Sequence, residues 1–187
     1  MKFFVNIAIG LISIAAVSAA NTLIDVPTYS RDAFGGWSDS DSDCQNTRHE
    51  LLIARSLKLV ELSADGCLVI RGTWVDPYSA ELHYKATEID VDHLVPLKFA
   101  WDHGAWAWET DKMERFANDP INLVITSKSL NRSKGSDGPL SWLPPNTAFK
   151  CAYLKSFLAV MERYLLVLLD DESQKFQVLR NDVCNGN

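Results

Sequence analysis

Three hydrophobic patterns alternate along the chain, and each marks a different kind of element. Residues 3–17 are apolar apart from Asn6 and Ser13, a run shorter than the roughly 20 residues that a membrane span needs. Residues 23–43, rich in Asp, Ser and Gly, read as an extended arm and loop. From Cys44 the period turns helical, with Leu51, Leu52, Ala54, Arg55 and Leu59 facing one side. Residues 67–74 follow Asp65-Gly66, are rich in β-branched and aromatic side chains, and predict a strand. Asp76-Pro77 turns the chain, and residues 84–91 give a second extended segment. Residues 99–108 and 111–117 predict two short helices anchored by Trp101, Trp106 and Trp108. A short strand follows at 122–126, then a polar helix over about 127–134. Beyond Leu143-Pro144-Pro145, Phe149, Ala152, Phe157, Val160, Met161, Tyr164 and Leu168 recur at helical spacing and predict a long amphipathic helix.

Lys2, the apolar run and the small residues Val17-Ser18-Ala19-Ala20 together read as a secretory signal over residues 1–20. The expectation is a secreted, extracellular protein with no membrane anchor, in which residues 21–187 form one domain. The 167 residues that remain of 187 suffice for one well-buried core. A hydrophobic fraction of 47% with 22% charged residues excludes disordered and coiled-coil chains. The net charge of −6 excludes a polycation, so any nucleic-acid contact has to come from a local patch. Cys44, Cys67, Cys151 and Cys184 contain no Cys-x-x-Cys pair, which argues against a zinc ribbon or a thioredoxin-like site. Of the possible pairings, Cys44–Cys67 and Cys151–Cys184 are favoured because each closes a local loop.

Candidate chemistry concentrates in Asp90-Val91-Asp92-His93-Leu94-Val95-Pro96-Leu97, in Asn118-Asp119-Pro120-Ile121-Asn122-Leu123 and in Asn131-Arg132-Ser133-Lys134. Asp92 and Asn131 offer hard oxygens that suit Mg²⁺ or Mn²⁺. The adjacent His93 is suited to general-base work near neutral pH. Between Pro120 and Ser136 there is no acidic residue, while Lys128, Arg132 and Lys134 form a stripe able to touch phosphates. The plainer account of that stripe is a solvated helix face. Arg48 reaches either a phosphate or a structural partner. His49, His83 and His103 stand alone and are read as surface or packing residues. Asp39, Asp41, Asp43 and Glu50 imitate a calcium loop, but Cys44 sits where that loop needs Gly, so a capping turn is the simpler reading. Asn131-Arg132-Ser133 is also a glycosylation sequon, and a glycan there would occupy the proposed ligand amide.

The block resembles the HNH, or ββα-metal, endonucleases, in which a β-hairpin and a helix clasp one divalent cation. Asp92-His93, Asn122 and Asn131 stand at the three signature positions, and the stretch from Asp90 to Pro96 is similar to the HNH domain of RNA-guided DNA-cutting enzymes. Tyr29-Ser30-Arg31, Phe34-Gly35, Asn46-Thr47-Arg48, the run from Gly72 to Tyr78, Phe116-Ala117-Asn118-Asp119 and Trp142-Leu143-Pro144 resemble secreted HNH proteins of bacteria and fungi. These are similar to the C-terminal nuclease domain of GmrSD-type modified-DNA restriction enzymes. The resemblance implies an α+β fold with a ββα-metal core at about 88–136, an N-terminal helix–strand layer and a C-terminal amphipathic helix, stapled by disulfides. It implies that Asp92 and Asn131 ligate one Mg²⁺ or Mn²⁺, and that His93 takes the proton of an attacking water. Asn122 would hold the hairpin loop and orient His93, and cleavage would leave a 5′ phosphate and a 3′ hydroxyl. The implied substrate is nucleic acid, DNA ahead of RNA, cut with little sequence preference by a monomer. Two other readings stand beside it: a catalytically silent secreted interaction protein on the same fold, and a nuclease acting mainly on RNA.

Overall fold

A computed structural model describes residues 26–186, so the leader expected at 1–20 lies outside the described residues. Among the described residues, six α-helices and five strands follow the arm. They run α1 (Thr47–Ala54), β1 (Glu61–Leu62), β2 (Val69–Val75), β3 (Leu82–Lys85), β4 (Ile89–His93), α2 (Leu97–Asp102), α3 (Thr110–Asn118), β5 (Leu123–Ser127), α4 (Lys128–Lys134), α5 (Thr147–Tyr164) and α6 (Asp170–Asn185). Strands β1, β2 and β3 make one antiparallel sheet in that order, and β4 pairs with β5 in a separate antiparallel ribbon. No described helix is long and apolar enough to cross a membrane.

The extended segment expected at 84–91 divides in two, because Ala86-Thr87-Glu88 turns the chain between β3 and β4 and sends them to different sheets. The first helix stops at Ala54 rather than running on to Leu59, which is fully exposed. The last helical stretch is two helices. Leu165 adopts a left-handed conformation that ends α5, and α6 begins at Asp170. Asp171 and Glu172 suit a helix start, where the positive end of the helix dipole favours carboxylates.

The β4–β5 ribbon divides the interior. On one side Ile89 and Val91 of β4 and Leu123 and Ile125 of β5 pack with Leu51 and Leu52 of α1 and with Trp74. Trp74 is fully buried and donates its indole N–H to the Leu52 carbonyl at 2.8 Å. Gly72 is required below it, since a Cβ there would collide with the indole ring. On the other side Val124 joins the larger core built by α2, α3, α5 and α6 around Tyr78, Phe116, Tyr153 and Phe157. The arm belongs to this core: Phe34 is fully buried beside Phe116 and Trp101.

Both disulfides form as paired from the sequence, Cys44–Cys67 and Cys151–Cys184. The second ties α5 to α6 across 33 residues. Replacing Cys151 and Cys184 by Ser removes a loop constraint worth about 3–4 kcal/mol on the chain-entropy model. Urea unfolding of the double variant should show that loss; an unchanged midpoint would mean that helix packing alone holds α6.

Candidate functional site

Strand alternation sorts the residues of the block onto two faces. In β4, Ile89 and Val91 point into the core with α1, while Asp90 and Asp92 point the opposite way, opposite Thr126 and Val124 of β5 and toward α4. Helix α4 is held at this face by its own sequence. Ser127 caps its start by accepting from the Leu130 N–H, and Gly135 closes its end at a positive φ of 54°.

Asp92 lies at the centre of a buried polar knot. Its Oδ1 accepts from Lys134 Nζ at 3.1 Å, and its Oδ2 accepts from the same Nζ at 2.9 Å and from the Tyr78 hydroxyl at 2.9 Å. Lys134 Nζ also donates to the His93 carbonyl at 2.8 Å and is 1% exposed. Burial pushes the Asp92 carboxyl up, and the charge and hydrogen bond of Lys134 pull it back. Burial pushes the Lys134 ammonium down, against the attraction of Asp92. Burial and the charge of Asp92 raise the Tyr78 hydroxyl well above its ordinary value, so it stays a donor. The fully buried Asp76 sets this knot in place. It accepts from the Tyr78 N–H at 2.8 Å and, at 2.9 Å each, from the Thr126 hydroxyl and the Ser127 N–H that precede α4.

His93 faces elsewhere. Its Nε2 lies 2.8 Å from the Ala117 carbonyl, which can only accept, so Nε2 carries the proton and Nδ1 keeps its lone pair. The Trp37 indole stacks on the ring with centroids 5.4 Å apart and planes 11° apart. Burial is the main cause that pushes the imidazole down to about 4; the Ala117 hydrogen bond opposes it, and the charges of Arg31 and Lys134 add to it. At neutral pH His93 is therefore an uncharged base. A cavity of ≈ 220 Å³ opens on it, walled by Arg31, Trp37, Leu97 and Ala117. A second cavity of ≈ 470 Å³ shares Arg31 and Leu97 with the first and extends to Lys98, Asn131 and Arg132.

Asn131 donates its amide to Asp90 Oδ2 at 3.0 Å, which leaves its Oδ1 without a hydrogen-bond partner among the described residues. That amide nitrogen is the atom a glycan would take. The oxygens of Asp90, Asp92 and Asn131 thus share one seam between β4 and α4, and their chemistry fits a hard divalent cation that keeps most of its shell as water. Asp92 enters such a site with restrictions. A carboxylate has about four lone-pair positions, three of which here face Lys134 and Tyr78.

Four assignments change against this geometry. Lys134, expected on the phosphate-facing stripe, is inside the protein because its ammonium compensates the buried Asp92. Arg48, one of the expected phosphate contacts, donates from Nη2 to the carbonyls of Ala86 and Ile89 at 3.1 and 3.2 Å and is spent on the backbone. Asn122 is fully buried and grips the loop after β4: its Oδ1 accepts from Val95 N–H at 2.8 Å and its amide donates to the Val95 carbonyl at 3.3 Å. It makes no hydrogen bond to the His93 ring, whose partners among the described residues are the Ala117 carbonyl and the Trp37 indole. Lys128 is half-buried and lines neither cavity, whereas Arg132 is exposed and lines the larger one. The lone histidines are buried or half-buried, with His83 Nε2 3.9 Å from Asp76. His49 accepts from Val69 N–H, and His103 stacks on Phe99 and bonds Glu172 at 2.8 Å. Asp39, Asp41 and Asp43 do converge, and their carboxylates receive the Cys44 N–H at 3.1 Å, the Asp43 N–H at 3.4 Å and the Gln45 N–H at 2.7 Å. Arg31 and Trp37 carried no role in the sequence. A single arginine and a single tryptophan in a polar arm offer no periodicity to mark them.

Residues 53–179 match the family model described as GmrSD restriction endonucleases, C-terminal domain. An uncharacterized secreted protein of Arthroderma benhamiae is 34% identical over 155 residues, which is 82% of this chain and 74% of that relative. No solved structure matches the chain.

Two consequences are measurable. Lys134→Met leaves Asp92 buried without its counter-ion and should destabilise the protein by about 3–5 kcal/mol. The double variant with Asp92→Asn should recover much of that; equal losses in both would show that the ion pair is not the cause. As for pH, the unfolded His93 binds a proton near its ordinary value of about 6.5, whereas the folded ring does so only near 4. Falling pH through this window therefore favours the unfolded chain, by up to about 3 kcal/mol. Urea midpoints against pH should show that slope reduced in His93→Gln, and a slope identical to wild type would contradict the placement of the ring.

Proposed function

We propose that this chain, which belongs to the family of GmrSD restriction endonuclease C-terminal domains, is a secreted endonuclease that hydrolyses the phosphodiester bonds of DNA. The family implies nuclease activity on nucleic acid, and nucleases of this kind are generally dependent on a divalent metal. The observation that carries the finer reading is His93. It is an uncharged imidazole whose Nε2 proton is committed to a backbone carbonyl and whose cavity is bordered by an arginine.

That arrangement supports a hydrolysis in which His93 is the base. A phosphodiester entering the cleft presents its phosphorus beside His93, and Nδ1 removes a proton from a water as the water oxygen attacks. The P–O3′ bond breaks, the phosphate stays on the 5′ side, and solvent protonates the departing 3′ oxygen. Ala117 and Trp37 hold the ring so that only one nitrogen can act as base, which is positioning without cost at the moment of reaction. Asn122 keeps the 94–96 loop closed behind it. Asp92, Asn131 and Asp90 are the residues that would hold Mg²⁺ or Mn²⁺, which when bound supplies Lewis-acid stabilisation of the charge on phosphate and leaving oxygen.

A second reading, a secreted interaction protein without turnover, is favoured by one observation: the Lys134 ammonium already neutralises Asp92. Plasmid nicking decides between them. The purified protein with Mg²⁺ or Mn²⁺ should nick supercoiled DNA, a chelator should abolish the activity, and His93→Ala should lower it by about 10²–10⁴-fold, the usual contribution of a general base. A wild type that cuts neither DNA nor RNA with any divalent ion would end the nuclease reading. Faster digestion of RNA in the same assay would move the substrate to RNA.

A further inference from the structure

The two cavities beside the proposed site differ in charge from the rest of the molecule. Their walls carry Arg31, Lys98 and Arg132 and no Asp or Glu, although the protein as a whole carries a net charge of −6. A third cavity of ≈ 540 Å³, elsewhere on the surface, is walled by Asp39, Glu50, Asp111 and Glu114 with Arg115 as its one cation. An anion is therefore repelled from one groove and drawn to the other.

Within the cationic groove the three side chains are not equivalent. Lys98 is already paired with Asp102 at 2.6 Å, one helical turn away. Arg31 and Arg132 enter no ion pair among the described residues. Of the three cations only Arg31 lines both cavities, so it stands where the His93 chamber meets the Asn131 chamber. It is the cation that the arm supplies to these walls, alongside Tyr29, Gly35, Gly36 and Trp37, ahead of the family-matched region that starts at residue 53.

The arm holds Arg31 firmly. Phe34, three residues on, is fully buried. Tyr29 meets Trp101 edge-on at 5.9 Å, and Trp101 donates its indole N–H to the Pro27 carbonyl at 2.9 Å. Asn118 of α3 grips the other end of the arm, accepting from Ser38 N–H at 3.0 Å and donating to the Gly36 carbonyl at 3.1 Å. An exposed guanidinium on so constrained a segment loses little freedom when it binds.

We infer that Arg31 is the residue that holds the substrate phosphate beside His93, and that Arg132 receives the neighbouring phosphate of the same strand. The ligand class is a phosphodiester backbone, bound through its non-bridging oxygens and not through its bases. A guanidinium fits this role because its planar fork donates two parallel hydrogen bonds to a phosphate, which an ammonium does not. The inference rests on the nuclease reading for its chemistry, but its binding step can be measured apart from cleavage.

Two readouts on the purified protein test it: affinity of the His93→Ala protein for a fluorescent 12-nucleotide strand across a salt series, and kcat and KM of cleavage. Arg31→Ala should weaken binding by about tenfold or more and flatten the slope of log affinity against log salt by about one. It should also lower kcat, with the thermal midpoint unchanged. Arg31→Lys should restore the salt slope but not kcat. Arg71→Ala, which removes an exposed cation on the separate sheet, should change neither. Slope and kcat within twofold of wild type in Arg31→Ala, or an equal effect of Arg71→Ala, overturn the inference. If the wild type cuts nothing yet binds the strand with an Arg31-dependent slope, the anion site stands and the nuclease reading fails. Cleavage indifferent to Arg31→Ala leaves the nuclease reading and removes this one.

Discussion

The buried ion pair between Asp92 and Lys134 is the constraint on which the arrangement turns. It fastens the last turn of α4 to the end of β4, since one ammonium reaches both Asp92 oxygens and the His93 carbonyl. With both partners out of water, neither can be lost alone without leaving an uncompensated charge in the core. Tyr78 and Asp76 extend the same knot to the end of β2 and the start of α4, so hairpin, helix and sheet are registered by one polar network. His93 inherits its position from this fastening, because its own carbonyl is one of the atoms held.

Much of this was legible in the sequence where periodicity or spacing carries the information. A short strand at β5, a polar helix at α4 and both disulfide pairings follow from residue pattern and loop closure. The turn between β3 and β4 was hidden because Ala86-Thr87-Glu88 contains neither glycine nor proline. Helix α6 was hidden because Asp170-Asp171 reads equally as a stop and as a start. The site was legible in part. Asp92 and Asn131 lie on the seam between β4 and α4, while His93 turns to the Ala117 carbonyl and Asn122 grips the 94–96 loop. What the sequence could not tell apart was a lysine on a helix surface from a lysine turned inward, as Lys134 is, because burial depends on the partner across the seam. The roles of Arg31 and Trp37 were hidden for a related reason: both reach His93 from a non-repeating arm about sixty residues away in sequence.

Electrostatics reconcile an acidic protein with an anionic substrate. Net charge governs long-range behaviour, but within a Debye length of about 8 Å at physiological salt the nearest side chains dominate. The groove at Arg31, Lys98 and Arg132 is walled by cations while Asp39, Glu50, Asp111 and Glu114 gather at another cavity. Such a surface pushes polyanions away except at the cleft, which favours contact there over indiscriminate coating of the protein. Burial is the main cause that keeps His93 uncharged, and the positive charges of Arg31 and Lys134 add to it.

The claim most exposed to refutation is that the seam between β4 and α4 receives a divalent cation even though Lys134 occupies Asp92. Anomalous diffraction from crystals grown with Mn²⁺ addresses it without reference to activity. The account predicts one peak against Asn131 on that seam, absent from crystals of Asn131→Ala. A peak only among Asp39, Asp41 and Asp43, or none in the protein at all, would contradict it.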